Sequence, residues 1–153
     1  MSGVQTKINT RKYIEAKDIE NWIIKRVRYL EWGTERCPAK IRRKTFPELY
    51  DRPKLMVGSL TGGIYDDQGL LTHHGVVVFV RFCDLKDVDN KSIRMSVKKF
   101  NKFPRSELEN ISEKFDLKYL LAVLNSSFAL RHLNNSRRHR LENYFYPDDF
   151  RKL

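Results

Sequence analysis

Acidic residues stand on both sides of an apolar stretch in the middle of the chain, at a spacing that could support metal-dependent cleavage of a phosphodiester. Asp66 and Asp67 precede the stretch, and Asp84 and Lys86 follow it. In nucleases of this kind two carboxylates hold Mg²⁺ and a lysine steadies the attacking hydroxide. Nothing in the sequence brings Asp66 to the end of the stretch at which Asp84 lies, and such matches are common in charged chains. A magnesium-dependent nuclease is therefore an alternative hypothesis.

Histidine offers a weaker case for metal chemistry. His73 and His74 are adjacent in the sequence. Because adjacent side chains of a strand point to opposite faces, the pair is more typical of a loop or a packing role than of a metal site. We predict no metal ligand in this chain.

Basic residues offer a different chemistry, the binding of phosphates and base edges. The chain has 30 Lys and Arg against 19 Asp and Glu, a formal net charge of +11. Such an excess attracts polyanions. Much of it falls in segments that are poor in acidic residues, around 36–44, 94–102 and 131–140. The residues predicted to bind nucleic acid are Arg36, Lys40, Arg42, Arg43, Lys44, Lys98, Lys99, Lys102, Arg131, Arg137, Arg138 and Arg140.

Two roles are expected within these segments. Lysine meets phosphate as a point charge, whereas the guanidinium of arginine can fork onto guanine or enter a narrow minor groove. We therefore expect the lysines to position the protein on the backbone and several arginines to reach base edges, namely Arg42, Arg43, Arg137, Arg138 and Arg140. Each cluster taken alone could also be a solvated surface, and a module that binds structured RNA is a further alternative.

Three aromatic residues near the start of the chain could stack on exposed bases. They are Trp22, Tyr29 and Trp32. Aromatic side chains in a strand more often belong to the core or to the face of a sheet, so the stacking role is the less expected of the two.

Hydrophobic periodicity predicts the strands that must hold these segments. Residues 1–12 are polar and aperiodic, which predicts a flexible leader, and residues 13–153 suit one domain. Residues 22–32 alternate like an irregular strand pair. Leu55–Leu60 and Val76–Phe82 are rich in apolar and β-branched residues, which predicts adjacent antiparallel strands. Because the second run is apolar on both faces, we expect it to be the central strand.

The strongest helical pattern lies near the C-terminus. Asp116 can cap a helix in which Leu117, Leu120, Leu121, Leu124 and Phe128 fall at helical spacing. The apolar face of that helix is widened by Tyr119, Val123 and Leu130. The patterns together predict an α+β fold with a mixed or antiparallel sheet, a long buried C-terminal helix and basic surface loops.

The absence of membrane-spanning and signal segments from the sequence bears on where the protein is located in the cell. No stretch approaches the roughly 20 apolar residues that cross a bilayer, and the first residues contain no apolar signal region. Cys37 and Cys83 are far apart, with no further cysteine or histidine at ligand spacing, so we expect reduced thiols. We expect a cytoplasmic monomer with no membrane partner.

An ordered series of short motifs resembles a known family. It comprises Pro53-Lys54-Leu55 at the start of a core strand, Tyr65-Asp66 at a turn and Leu124-Asn125-Ser126 in a helix. Over residues 17–153 the series resembles the TaqI-like C-terminal specificity domain of adenine-specific DNA methyltransferases and of fused type II restriction-modification enzymes. This chain has Ser127 where the family usually has a lysine, and it stops at Leu153 where the family tends to continue with a proline-containing strand.

The resemblance implies an excised target-recognition domain without catalytic activity. Its partners would be double-stranded DNA and a methyltransferase catalytic domain in the same parent chain. S-adenosylmethionine is implied as the cofactor of that parent, and no cofactor is implied for this domain. The chain lacks the glycine-rich loop and the paired prolines that a catalytic domain uses for cofactor and flipped adenine. The nearest look-alike, Phe145-Tyr-Pro-Asp148, has a single proline.

Overall fold

The computed structural model describes residues 1–38, 47–58, 62–73, 75–100, 102–136 and 150. Within them the strands are β1 (Asn9–Ile14), β2 (Ile19–Glu20), β3 (Ile23–Ile24), β4 (Arg28–Glu31), β5 (Lys54–Val57), β6 (Gly63–Asp66), β7 (Leu71–Thr72) and β8 (Val77–Phe79). The α-helices are α1 (Glu48–Asp51), α2 (Lys91–Lys98), α3 (Arg105–Glu113), α4 (Leu117–Leu124) and α5 (Ser127–Ser136). Single 3₁₀ turns cover Ala16–Asp18 and Phe82–Leu85.

The antiparallel sheet has the order β6-β5-β8, with β5 in the middle. Successive side chains of a strand point to opposite faces, and β5 is buried on both. Leu55 packs on one face with Leu117 and Leu121 of α4. Met56 packs on the other face with Ile14 and other apolar side chains of the N-terminal half. This strand therefore joins two hydrophobic clusters.

The predicted antiparallel pairing of the two apolar runs is confirmed, because β5 pairs with β8. The prediction that the second run is central is wrong. Among the strands that the structure describes, β8 lies at an edge of the sheet, and its residues are only partly buried. The hairpin from β5 to β6 covers the other edge of β5, so β5 takes the central position that its apolar composition also suits.

A mixed sheet has the order β4-β1-β7, in which β1 pairs antiparallel with β4 and parallel with β7. Strand β1 begins at Asn9, and Ser2 exchanges two backbone hydrogen bonds with Tyr29, at 2.9 and 2.8 Å. The folded part thus starts before residue 13, because polar residues without periodicity can still pair through their backbone. The predicted strand pair over 22–32 is divided, since β3 pairs with β2 and β4 with β1.

The predicted long C-terminal helix is divided into α4 and α5. The side chain of Asn125 turns away to bond the backbone of Gly63. Ser126 Oγ accepts a hydrogen bond from the Ala129 N–H at 3.2 Å, at the first turn of the new helix. Short polar side chains compete in this way with helical hydrogen bonding, which explains the break. Three residues predicted for the buried face of this helix are exposed instead, namely Tyr119, Val123 and Phe128.

The second basic segment is a helix, α2, rather than the predicted loop. Asn90 caps it, because its side chain accepts a hydrogen bond from the Ile93 N–H at 3.0 Å. Ile93 and Val97, four residues apart, pack against Leu85 and Val88. Apolar spacing beneath a basic surface therefore favours a helix here.

The predicted α+β class, with mixed and antiparallel sheets and helices at the C-terminal end, is confirmed. None of the described helices is long and apolar enough to span a bilayer.

Candidate nucleic-acid interface

Helix α2 and the turn after it present a basic surface, hereafter the α2 surface, made of Lys91, Arg94, Lys98, Lys99 and Lys102. All of these side chains are exposed. Three of them, at positions 91, 94 and 98, follow the spacing of one helix face, opposite the buried Ile93. Burial of that apolar side fixes the helix on the domain and turns the positive charges towards solvent.

Little negative charge offsets the α2 surface. No acidic residue occurs between Asn90 and Ser106. Arg94 lies 3.2 Å from Asp89, but both side chains are 66% exposed, and exposed ion pairs of this kind are weak. Within the described part of the chain, Lys98 and Lys99 form no ion pair, and neither does Lys102. These three ammonium groups remain available to a polyanion.

Helix α5 presents a second exposed surface, hereafter the α5 face, made of Ser127, Phe128, Arg131, His132 and Asn135. The opposite side of the helix is anchored by Ala129 and Leu133, which are almost completely buried. No acidic residue occurs anywhere in 117–141.

The side chains of the α5 face suit the reading of base edges. Arginine pairs with guanine, asparagine with adenine, and an aromatic ring can contact the methyl group of thymine. The ten residues of α5 extend about 15 Å. The major groove is about 12 Å wide and admits a helix. Of this face only Arg131 was predicted from the sequence. Phe128 was predicted for the buried face of one long helix, and Asn135 was not predicted. The four-residue spacing of the apolar Ala129 and Leu133 is the sequence signal that could have placed both on the exposed side.

The structure places the residues that were predicted to bind nucleic acid at different sites. Lys98, Lys99 and Lys102 come together on the α2 surface, and Arg131 lies on the α5 face. Arg36 lies elsewhere, beside β4. The remaining predicted residues lie outside the described part of the chain, namely Lys40, Arg42, Arg43, Lys44, Arg137, Arg138 and Arg140.

Arg36 is exposed but already has a carboxylate partner. Its Nε lies 3.1 Å from Oε2 of Glu31, and a second guanidinium nitrogen also bonds that carboxylate. Thr34 donates a hydrogen bond to the other oxygen of Glu31 at 2.6 Å. The hydrogen bond from Arg36 lowers the pKa of Glu31, and the same contact raises the pKa of Arg36. The case for a phosphate contact by Arg36 is therefore weaker than for the α2 lysines.

Two motifs of the family resemblance meet inside the domain. Lys54 at the start of β5 and Asp66 at the end of β6 form a completely buried ion pair. Lys54 also donates a hydrogen bond to the carbonyl of Tyr50 at 2.7 Å. Burial lowers the pKa of Lys54, and the carboxylate of Asp66 opposes that shift. Asp66 further accepts hydrogen bonds from the backbone N–H groups of Gln68 and Leu70, at 3.0 and 2.9 Å.

The third motif of the resemblance is also structural. Asn125 Oδ1 accepts a hydrogen bond from the Gly63 N–H at 2.6 Å, and its Nδ2 donates to the Gly63 carbonyl at 3.0 Å. Asn125 is buried and stands between α4 and α5. This amide therefore joins the helix pair to the start of β6.

The acidic residues of the nuclease hypothesis have other partners in the structure. Asp66 is engaged by Lys54, and both oxygens of Asp84 bond the guanidinium of Arg81, at 2.8 and 2.9 Å. Lys86 lies 3.5 Å from Glu113. Among the residues that the structure describes, no three His, Cys, Asp or Glu are grouped so as to hold a metal ion.

Two grooves flank β8, and both are lined mainly by apolar side chains. One of about 350 Å³ borders α2 and includes Phe100, and the other of about 440 Å³ borders α4 and includes Leu120. Arg81 is the one charged residue that lines them within the described ranges, and Asp84 holds it.

Comparison with known proteins leaves the resemblance untested. No protein-family model, no curated protein and no solved structure matches the chain. The likeness to the specificity domain therefore remains a prediction that rests on the motif residues and on their order.

Proposed function

We propose that this chain is a DNA sequence-recognition domain that positions duplex DNA for a catalytic domain elsewhere in its parent protein. The proposal rests above all on the α5 face, an anchored helix that exposes arginine, asparagine, serine and an aromatic ring in a segment without carboxylates. Side chains of these types read base edges, whereas a merely solvated helix of this size usually mixes both charge signs.

The α2 surface supplies the second function of such a domain. Lys98, Lys99 and Lys102 are exposed and unpaired among the described residues, as phosphate-binding lysines must be. Contacts with phosphates set affinity and position but carry no direct sequence information, whereas contacts with bases carry it. We assign the phosphates to the α2 surface and the bases to the α5 face.

The motif residues support a binding role rather than catalysis by this chain. Lys54, Asp66 and Asn125 are all buried and bonded within the domain. Such residues hold the two surfaces in place and do not reach a substrate.

The salt dependence of DNA binding tests the phosphate assignment. Each phosphate contact adds about 0.9 to the slope of log affinity against log salt. The triple variant Lys98→Ala, Lys99→Ala, Lys102→Ala is expected to reduce the slope by roughly 2 to 3 for every duplex sequence. The control removes three exposed lysines outside the α2 surface, Lys7, Lys17 and Lys114. Equal reductions of the slope in the two variants would refute the assignment of the phosphates to the α2 surface.

Selection from a pool of random duplexes tests sequence reading. We expect the wild-type chain to enrich a short site, and Arg131→Ala or Asn135→Ala to reduce the preference for it by roughly 5- to 150-fold, as for the loss of one base contact. Lys98→Ala should lower the affinity for all duplex sequences by the same factor. Tighter binding of structured RNA than of duplex DNA at matched salt would overturn the proposal in favour of an RNA-binding module.

Cleavage assays separate the nuclease alternative. The chain is expected to leave duplex DNA intact in the presence of Mg²⁺. Cleavage that is abolished by Asp84→Ala would overturn the proposal, because a recognition domain has no reason to hydrolyse its target.

A further inference from the structure

The tip of the β2–β3 hairpin exposes a tryptophan. Strands β2 and β3 are joined by Asn21 and Trp22 alone, with Glu20 paired to Ile23. Trp22 is 58% exposed and Ile23 is 59% exposed. Trp22 therefore contributes little to the core, in contrast to the sheet or core position that is usual for an aromatic residue in a strand.

The backbone of Trp22 is strained. Its φ is +73°, and it is the one non-glycine residue with positive φ in the described part of the chain. Tight turns usually place glycine or asparagine at such a position, since a Cβ atom crowds the backbone there. Strain of this kind is found at functional sites more often than elsewhere, so the combination of a bulky ring, exposure and strain indicates a role for the ring itself.

The hairpin tip is fixed to the junction of α4 and α5. The Gly63 carbonyl accepts one hydrogen bond from the Trp22 N–H at 3.2 Å and another from Asn125 Nδ2 at 3.0 Å. Gly62 has a φ of +87°, and a Cβ atom there would lie 1.6 Å from Oδ1 of Asn21. This close packing holds the backbone of the tip near Asn125, at the junction of α4 and α5. Phe128, in the first turn of α5, is 79% exposed.

The surroundings of the tip favour a polyanion over an apolar protein partner. Arg26 is exposed near the hairpin, and Lys25 is balanced by Glu20 at 2.9 Å. Asn125, which shares the Gly63 carbonyl with Trp22, lies in the segment 117–141 that contains no acidic residue. A large π-surface beside positive charge is the combination by which proteins stack on nucleobases.

We propose that Trp22 stacks on an unpaired or unstacked base of the DNA that the α5 face binds. The inference rests on the proposed function, and it adds that the domain recognises a local distortion at one end of α5. Every base has a π-face, so the contact would favour distorted DNA irrespective of which base is exposed. Ile23, which is equally exposed but has no π-system, is the matched control within the same tip.

Binding is to be measured with the full chain on a fully paired duplex and on the same duplex with one unpaired base. The wild-type chain is expected to prefer the second. Glycine and asparagine both tolerate positive φ, so Trp22→Gly and Trp22→Asn keep the turn. Each should lower the affinity for the unpaired-base duplex by roughly 5- to 150-fold and the affinity for the paired duplex only slightly. Ile23→Ala should retain the preference. Trp22→Gly should melt no lower than the wild type, which excludes misfolding as the cause.

Fluorescence gives a direct readout of stacking. The chain has 2 Trp, so a Trp32→Phe background leaves Trp22 as the single reporter. Its emission should be quenched on saturation with the unpaired-base duplex. Retention of the preference in Trp22→Gly, or unchanged emission at saturation, would overturn the inference while leaving the proposed function standing. If the wild-type chain binds neither duplex, the proposed function fails and the inference fails with it.

Discussion

Lys54 illustrates how little the charge of a residue says about its role. It belongs to the basic excess of the sequence, yet it is completely buried and bonded to Asp66. Two opposite charges in the interior must be satisfied together, because removal of one leaves the other without solvent or partner.

Asp66→Ala is therefore expected to lower the free energy of unfolding by about 3 to 5 kcal/mol, as measured by urea denaturation. The change removes the carboxylate partner of the buried Lys54 ammonium, and it removes the hydrogen-bond acceptor of the Gln68 and Leu70 N–H groups. Asp67→Ala, at the exposed neighbouring position, should change the free energy of unfolding by no more than about 0.5 kcal/mol. Similar losses at positions 66 and 67 would show that the buried pair contributes no special stability.

Asp18 links stability to pH. Burial by itself raises the pKa of Asp18, but hydrogen bonds from Arg28 and from the Glu15 backbone N–H outweigh it, so that the pKa lies below its usual 3.8. A carboxylate with a depressed pKa stabilises the fold above its unfolded pKa and loses that contribution as pH falls through the folded value.

We expect Asp18→Asn to lower stability at neutral pH and to flatten the fall in stability below about pH 4. Urea denaturation at a series of acidic pH values measures both effects. Asp67→Asn, on an exposed carboxylate, serves as the control. Parallel curves for the wild type and Asp18→Asn would contradict the assignment of this acid dependence to Asp18.

At the scale of elements, the junction of the β2–β3 hairpin with β6 and α5 is held by small and polar groups rather than by apolar packing. Gly62 lets the side chains of Asn21 and Asn125 approach the backbone, and Asn125 bonds the N–H group of Gly63. The same asparagine that interrupts the C-terminal helix thereby docks the hairpin that carries Trp22.

Gly62→Ala is expected to destabilise the chain by about 2 kcal/mol or more, because alanine disfavours positive φ and its Cβ would overlap Asn21. Thermal melting measures the loss. Gly3→Ala is the matched control, since its Cβ would have no atom within 4 Å. Unchanged melting of Gly62→Ala would mean that the hairpin is not docked as described.

At the scale of the whole molecule, the net charge of +11 acts on stability as well as on binding. Like charges on a compact chain repel one another, and salt shortens the Debye length from about 30 Å at 0.01 M to about 8 Å at 0.15 M.

The melting temperature is therefore expected to rise by a few degrees over that range of ionic strength, and to rise further with a saturating duplex. The triple alanine variant at positions 98, 99 and 102 carries three fewer positive charges and should respond less to salt. A fall in melting temperature with salt would show instead that ion pairs such as Arg11 with Asp51 outweigh the repulsion.

Local pattern was sufficient for the fold class and for part of the topology. β-Branched runs predicted the pairing of β5 with β8, and leucine spacing predicted the helical region after Asp116. Both properties depend on neighbours in the sequence, to which periodicity responds. Which of the two strands is central was not predictable, because the apolar composition of both suits the central position. The pairing of β6 with β5 makes β5 the central strand.

The sequence by itself determined where positive charge is concentrated and which catalytic motifs to consider, since composition and spacing are properties of the chain alone. Only the tertiary structure decided which of those groups face solvent. Arg36 bonds Glu31, Lys54 lies buried against Asp66, and Trp22 is exposed at the tip of a hairpin. The physical reason is that burial and ion pairing depend on strand register and on the docking of helices. These bring together residues as far apart in sequence as Gly63 and Asn125, and no local pattern encodes them.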